Sequence, residues 1–374
     1  MDDSGAHDLD PVDRLLLDTA ADAIAVSGLN EITVIGDPTT ALALELAATT
    51  PGPIRVHQDS LIHERALAAA APDGVDAHPL VPGLVAGASV VLVRLPRSLD
   101  ALRAIVELIA DHAAPDITVV AAGRIKHMAI AMNDVLRMRF DRVDVTHARQ
   151  KSRALVARGP KAGAPFEPIG SRVHELPGVG AVTICAAGGA FAGTGVDIGT
   201  RFLIEQLAEA SLDASAAIDF ACGTGLVAAW LALRDPEARV LATDVSAVAV
   251  ASARATVLAN GVSDRVEVVQ DVGLASRADA SASLIVLNPP FHEGAAINKD
   301  LAPELFADAG RVLAPGGQLW TVWNSHLQYR GALERIVGPT EQVARNSKFT
   351  VARSNARAAS AARDSTAHAS AISR

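Results

Sequence analysis

One order of strand-like and helix-like stretches occurs twice along this chain, and that repetition limits the fold more than any other feature. In the first half, apolar positions at helical spacing over 12–27 precede a strand at Ile32–Gly36, a helix from Thr40, a strand at Ile54–His57 and a helix over 60–71. A buried run, Ser89–Pro96, leads to a helix over 98–112, a strand at Ile117–Ala121, a helix over 126–138 and a hairpin through Val143–Val156. In the second half, extended residues 179–186 and a helix reaching Glu209 are followed by strands at Ala216–Phe220, Arg239–Thr243, Val266–Gln270, 283–287 and Gln318–Trp323. Helices over 225–234, 246–259 and 301–313 separate them, and a last hairpin runs through 340–352. Regular alternation of this kind specifies an α/β fold with a doubly wound sheet, and two halves of one pattern imply an internal duplication.

The expected organisation is a first domain over 1–158, a Pro/Gly-rich linker over 159–178, a second domain over 179–353 and a disordered Ala/Ser-rich tail over 354–374. Half of the residues are hydrophobic but only 3% are aromatic. Such an Ala/Val/Leu excess suits helices packed on a parallel sheet. No apolar run is long enough to span a bilayer, the start is acidic, and the two cysteines, Cys185 and Cys222, make no disulfide framework or metal set. A soluble, monomeric, cytoplasmic protein with no membrane or metal partner is expected.

The halves differ where their strands end. The run Ser283–Leu287 is stopped by Asn288-Pro289-Pro290-Phe291-His292. Two prolines lack the N–H needed to go on pairing, so the chain must turn out at the carboxyl edge, where open α/β sheets bind ligands. Asn288 and a nearby carbonyl can accept hydrogen bonds from an –NH2, and Phe291 can stack on a planar base. The first half has Arg94-Leu95-Pro96-Arg97 there instead. The second half also has a glycine loop after its first strand, Asp219-Phe220-Ala221-Cys222-Gly223-Thr224-Gly225, where the first has Gly36-Asp37-Pro38-Thr39-Thr40. The spacing is not that of a dinucleotide pyrophosphate loop. With Asp244 ending the next strand, where a carboxylate can bind ribose hydroxyls, an adenosine without phosphates fits better than NAD. Asp271 ends the third strand, placed to accept from an adenine amino group. His292 as a proton acceptor, and His326 and Tyr329 as a substrate mouth, are weighed against ordinary surface and packing roles. Core packing is expected for at least one of Trp320 and Trp323.

Net charge is −9, yet residues 121–161 hold ten Lys/Arg against three acids. Such asymmetry marks a polyanion-binding face on an acidic protein.

Taken together, GVDIGTRFLI (195–204), DFACGTGLVA (219–228), DVSAVAVASARATVLANG (244–261), NPPFHEG (288–294), NSHLQY (324–329) and NSKFTV (346–351) resemble the ribosomal RNA guanine-N2 methyltransferases. These are class I S-adenosylmethionine-dependent enzymes, and the large-subunit 23S branch is closer than the small-subunit 16S branch. VLVRLPRSL (91–99), AAGRIKHM (121–128) and ARQKSRAL (148–155) resemble the degenerate N-terminal domain of that family. The resemblance implies two tandem Rossmann-like class I methyltransferase domains, the first having lost its site and docking RNA or a ribosomal subunit. It implies an S-adenosylmethionine pocket lined by Asp197, Gly199, Asp219, Ala221, Cys222, Gly223, Gly225, Asp244, Val245, Asp271 and Asn288, with Asn288, Pro289, Pro290 and Phe291 receiving a flipped guanine. Arg94, Arg97, Arg124, Lys126, Arg149, Lys151 and Arg153 are the candidate RNA contacts. Ala221 departs from the family's first loop glycine, and its methyl group can narrow the cofactor site. Cys222 is expected to pack, not react. Two other readings compete: a protein methyltransferase acting on a glutamine amide, and a catalytically silent RNA-binding assembly factor.

Overall fold

A computed structural model describes residues 8–28, 31–70, 73–164, 166–290 and 301–357. Phe291 and His292, and the expected tail beyond Arg357, lie outside the described residues. Chain contacts divide the protein into two compact units, the first made mainly of residues up to Gly170 and the second mainly of residues from Ser171 onward.

The first unit runs α1 (Pro11–Ala25), β1 (Ile32–Ile35), α2 (Ala41–Thr49), β2 (Ile54–His57), α3 (Leu61–Ala70), β3 (Val75–Ala77), α4 (Pro82–Val85), β4 (Val90–Arg94), α5 (Leu99–His112), β5 (Thr118–Arg124), α6 (Ala131–Arg139), β6 (Phe140–Val145) and β7 (Ser152–Pro160). After β8 (Ile169–Leu176) and β9 (Gly180–Ala187), which form a separate two-stranded sheet, the second unit repeats the pattern. It runs α7 (Ile198–Glu209), β10 (Ala217–Phe220), α8 (Leu226–Arg234), β11 (Val240–Asp244), α9 (Ala247–Ala259), β12 (Val266–Gln270), β13 (Ala282–Leu287), α10 (Leu301–Val312), β14 (Leu313–Asn324), α11 (Arg330–Ile336), β15 (Thr340–Arg345) and β16 (Phe349–Asn355).

The two seven-stranded sheets have orders β3-β2-β1-β4-β5-β7-β6 and β12-β11-β10-β13-β14-β16-β15, which is one topology used twice. In each, five parallel strands are extended by an antiparallel hairpin. Helices cover both faces. In the second unit α7, α8 and α9 pack with Trp320 on one face, while α10 and α11 pack with Trp323 on the other. Three residues apart on one strand, the two side chains point to opposite faces, and both are only 2% exposed.

Three expectations need correction. The stretch 159–178 is not all linker, because Gly159 and Pro160 end β7 and 169–176 form β8. The tail boundary at 354 falls inside β16, whose Ser354 is fully buried. The strand β3 escaped detection since Val75-Asp76-Ala77 is a short, half-exposed edge strand with one large apolar residue.

Candidate active site

Strands β10, β11, β12 and β13 are mutually parallel, so their carboxyl ends share one edge of the second sheet. Asp219, the third residue of β10, is 4% exposed and accepts a hydrogen bond from the Ala228 N–H of α8 at 2.9 Å. Burial, with the charge of Asp244 adding to it, pushes its carboxyl up to about 8. The folded state thus keeps a proton that the unfolded chain releases above its ordinary value of 3.8. Stability is then lost as pH rises between those two values. Asp219→Asn is expected to flatten the fall in melting temperature of the ligand-free protein from pH 5 to 8, and a fall as steep as wild type would contradict it.

Beyond Asp219 the loop bends through left-handed conformations at Ala221 (φ 55°), Gly223 (φ 53°) and Gly225 (φ 71°). The two glycines serve different ends. A Cβ on Gly225 would come within 2.7 Å of the Ala253 Cβ, so this glycine lets α9 pack against the loop. A Cβ on Gly223 would meet nothing within 4 Å among the described residues, so here the backbone lies open to a ligand. The Gly223 N–H donates to Asp244 Oδ2 at 2.9 Å, tying the open loop to the end of β11. The Ala221 methyl rests against the apolar cluster containing Phe220, Leu241 and Leu287. Cys222 packs in the other cluster, and burial beside Asp219 and Asp244 pushes its thiol well up, which excludes a thiolate nucleophile.

Asp271 behaves differently from the expectation. Its carboxylate, 2% exposed, accepts from the Val272 N–H (2.8 Å), the Ser276 N–H (3.0 Å) and the Ser276 hydroxyl (2.6 Å). It shapes the turn after β12, and its own N–H donates to the Asp244 carbonyl at 3.0 Å. Val245, just past Asp244, accepts from the Gln270 side-chain amide at 3.0 Å.

At the end of β13, Asn288 is half-buried and Pro289 buried. Asn288 Nδ2 donates to Asp197 Oδ2 (3.2 Å) and to Thr200 Oγ1 (3.0 Å), both in the first turn of α7. Asp197 is the N-cap of that helix and accepts the Thr200 N–H at 2.9 Å. Asn288 Oδ1 is buried without a hydrogen-bond partner among the described residues. A buried acceptor left unpaired costs about 1–3 kcal/mol, which a donor placed there recovers. Gly199 lets this turn settle on β16, since a Cβ there would lie 3.1 Å from the Phe349 ring and 3.0 Å from Asp197 Oδ2. Thr200 and Phe349 were not singled out from sequence, although both lie in the matched stretches 195–204 and 346–351.

The candidate RNA contacts divide. Arg94 stands at the end of β4, where Asn288 stands relative to β13, and it is paired with Asp10 and Asp13. Its guanidinium is therefore engaged by carboxylates of its own unit. Its Cβ would lie 3.4 Å from one added to Gly36, so it covers the loop that corresponds to the glycine loop. Part of the basic excess over 121–161 is likewise matched from outside the segment, Arg149 by Asp18 and Arg139 by Glu107 and Asp111, while Arg137 and Arg142 pair with Asp134 and Asp144 inside it. Arg97, Arg124, Lys126 and Lys151 are exposed, and Arg153 is half-buried. Three of the exposed cations converge, since the Arg97 guanidinium lies 3.2 Å from His127 Nε2. His127 is held below its ordinary range by loss of hydration and then by the charges of Arg97, Lys126 and Arg124.

Among the described residues no cluster of His, Cys, Asp and Glu could hold a metal, and no helix is long and apolar enough to cross a membrane.

Comparison with known proteins accounts for both units. Residues 181–353 match the methyltransferase small domain, and residues 7–161 match the RLMG N-terminal domain. The ribosomal RNA large subunit methyltransferase G of Streptomyces coelicolor is 33% identical over 368 residues, covering 91% of this chain and 94% of that protein. Its namesake from Pseudomonas paraeruginosa is 36% identical over 263 residues, covering 70% of this chain and 69% of that protein. The 16S rRNA N2 methyltransferase RsmC of T. thermophilus, solved with AdoMet and guanosine, shares the fold with a TM-score of 0.77 at 21% identity, over 94% of this chain and 93% of that one. Because relatives above 30% identity span nearly the whole length and each unit meets its own domain model, the chain belongs to the ribosomal RNA large subunit methyltransferase G family.

Proposed function

We propose that this protein transfers a methyl group from S-adenosylmethionine to the exocyclic N2 amine of a guanine in large-subunit (23S) ribosomal RNA, acting as a cytoplasmic monomer. The observation that carries the reading is the buried Asn288 Oδ1 at the carboxyl edge of the second sheet, without a hydrogen-bond partner among the described residues. Its relatives' names and the AdoMet and guanosine bound by RsmC agree with it.

The edge fits an adenosine-bearing cofactor. Gly223 offers open backbone, Asp244 supplies a carboxylate at the next strand end, and Asp219 forms the buried floor of the loop. The cofactor, when bound, would supply a methyl group activated on a sulfonium; its transfer to N2 leaves a neutral thioether, the proton displaced from N2 passes to water, and no metal is needed. The chain's task is alignment. Guanine's N2 lone pair is delocalised into the ring, and a hydrogen bond from one N2–H to Asn288 Oδ1 both fixes the amine and raises electron density on it. Pro289, without an N–H, leaves its carbonyl as a second acceptor in the same turn. Orientation of two reactants in this way is worth several kcal/mol, roughly 7 at the low end for well-aligned intramolecular reactions. A guanine within a helix cannot reach a strand-end crevice, so the target is looped or flipped. Phe291 as the stacking partner remains part of the proposal.

Incubating the protein with S-adenosylmethionine and ribosomal RNA, then digesting to nucleosides, should yield N2-methylguanosine; methyl on any other atom would overturn the assignment. The degenerate first unit is proposed to dock RNA through Arg97, Arg124, Lys126 and Lys151. Neutralising Arg124, Lys126 and Lys151 together should reduce the slope of log affinity against log salt by about two to three. An unchanged slope would remove the docking role.

A further inference from the structure

The two units use one device with different occupants. In the second, the N-cap Asp197 and the third helical residue Thr200 of α7 hold Asn288 at the end of β13. In the first, the N-cap Asp10 and the third helical residue Asp13 of α1 hold Arg94 at the end of β4. Both strands neighbour the first strand of their sheet in the same register, Val93 beside Ile35 and Leu287 beside Phe220. A helix N-terminus that grips the residue closing the fourth strand is thus built into the duplicated fold. What the grip does depends on whether its occupant retains an acceptor. A guanidinium has none, and an amide has one.

We infer that Asp197 and Thr200 are positioning residues that set the orientation of the Asn288 amide, so that the site presents an acceptor and selects an amine. This rests on reading Asn288 as the acceptor of the substrate amine. The direction of each hydrogen bond follows from Asp197, whose Oδ2 accepts from the Thr200 N–H, the Thr200 hydroxyl and the Asn288 amide. The Thr200 hydroxyl lies 3.4 Å from Asp197 Oδ2 and donates to it, which turns an Oγ1 lone pair to Asn288 Nδ2. The second Nδ2 proton goes to Asp197 itself. Both amide protons are then used, and among the described residues the side-chain Oδ1 is left without a partner and open to a ligand. A flipped amide would set its oxygen against the Asp197 carboxylate and offer N–H groups to the substrate, which repels an amine.

Three substitutions separate orientation from helix capping. Asp197→Asn keeps an N-cap side chain but adds a donor, so that the Asn288 amide can flip. Thr200→Val keeps the side-chain shape and removes the acceptor, while Thr200→Ser restores it. Two readouts are taken on the full chain. The first is proton exchange of the Asn288 side-chain NH2 by 15N NMR, the resonance being identified by its loss in Asn288→Asp. The second is methylation of ribosomal RNA, with kcat and KM separated. The expected results are faster NH2 exchange and a kcat lowered about tenfold or more in Asp197→Asn and Thr200→Val, with KM for RNA within about threefold of wild type and near-normal values in Thr200→Ser. Wild-type exchange and kcat in both Asp197→Asn and Thr200→Val would overturn the inference. A wild-type protein that methylates no guanine would defeat the proposed function, and the NH2 exchange would still decide whether the lock exists.

Discussion

Asn288→Ala is expected to lower the rate of methyl transfer to ribosomal RNA by about a hundredfold or more, with the melting temperature close to wild type. Alanine removes the Oδ1 acceptor and also the two donors that reach Asp197 and Thr200. Those partners keep each other, since Asp197 still accepts the Thr200 N–H at 2.9 Å, so the first turn of α7 retains its cap. The substrate amine loses its partner, whereas Gly223 and Asp244 remain as they were. The loss should therefore fall on kcat, while S-adenosylmethionine affinity measured by calorimetry stays within about threefold. Retention of wild-type turnover would dismiss Asn288 as the acceptor. A loss of cofactor binding equal to the loss of rate would place it in cofactor binding alone.

The second large effect concerns stability of the first unit. Arg139 closes α6 with its side chain 4% exposed, bridging Glu107, itself 6% exposed, and Asp111 on α5. Its Nε and Nη2 also donate to the Lys161 carbonyl, each at 3.1 Å, which fixes the chain leaving β7. Arg139→Met would leave the buried Glu107 side chain with only the more exposed Arg103, 3.6 Å away, and the Lys161 carbonyl without its two side-chain donors. Breaking one side of a fully buried pair costs about 3–5 kcal/mol, and because Arg103 still partners Glu107 the loss here should lie toward the lower end, about 3 kcal/mol. The first unfolding transition should move to lower denaturant by that amount. Removing both buried charges, in Arg139→Met with Glu107→Gln, should recover a substantial part of it. If the single variant unfolds like wild type, the bridge is not a determinant of stability.

This arginine also shows how a charge count misleads. The residues 121–161 are strongly basic in sequence, and a polyanion-binding face was the natural expectation. Sequence does not show which cations are already matched from distant positions: within this segment Arg139 and Arg149 are matched by Glu107, Asp111 and Asp18, and outside it Arg94 is matched by Asp10 and Asp13. The exposed cations Arg97, Arg124 and Lys126 around His127 are a smaller patch than the count implies. The same limit applies to Asp271, whose strand-end position was correctly read but whose carboxylate folds back on Val272 and Ser276. In both cases a side chain's partner is a matter of three-dimensional neighbours.

By itself the sequence determined the duplicated α/β order, because strand and helix periodicities are local and the two halves carry them over the sheet strands other than the short edge strand β3. It also determined the strand-ending turn at Asn288, because proline's missing N–H is a local property that no tertiary contact restores. The tertiary structure alone decided which way the Asn288 amide faces. That depends on a helix turn ninety residues earlier in the chain, where Asp197 can only accept and Thr200 relays that preference. It alone decided, too, that Arg94 fills the corresponding place in the first unit, where Asp10 and Asp13 hold it.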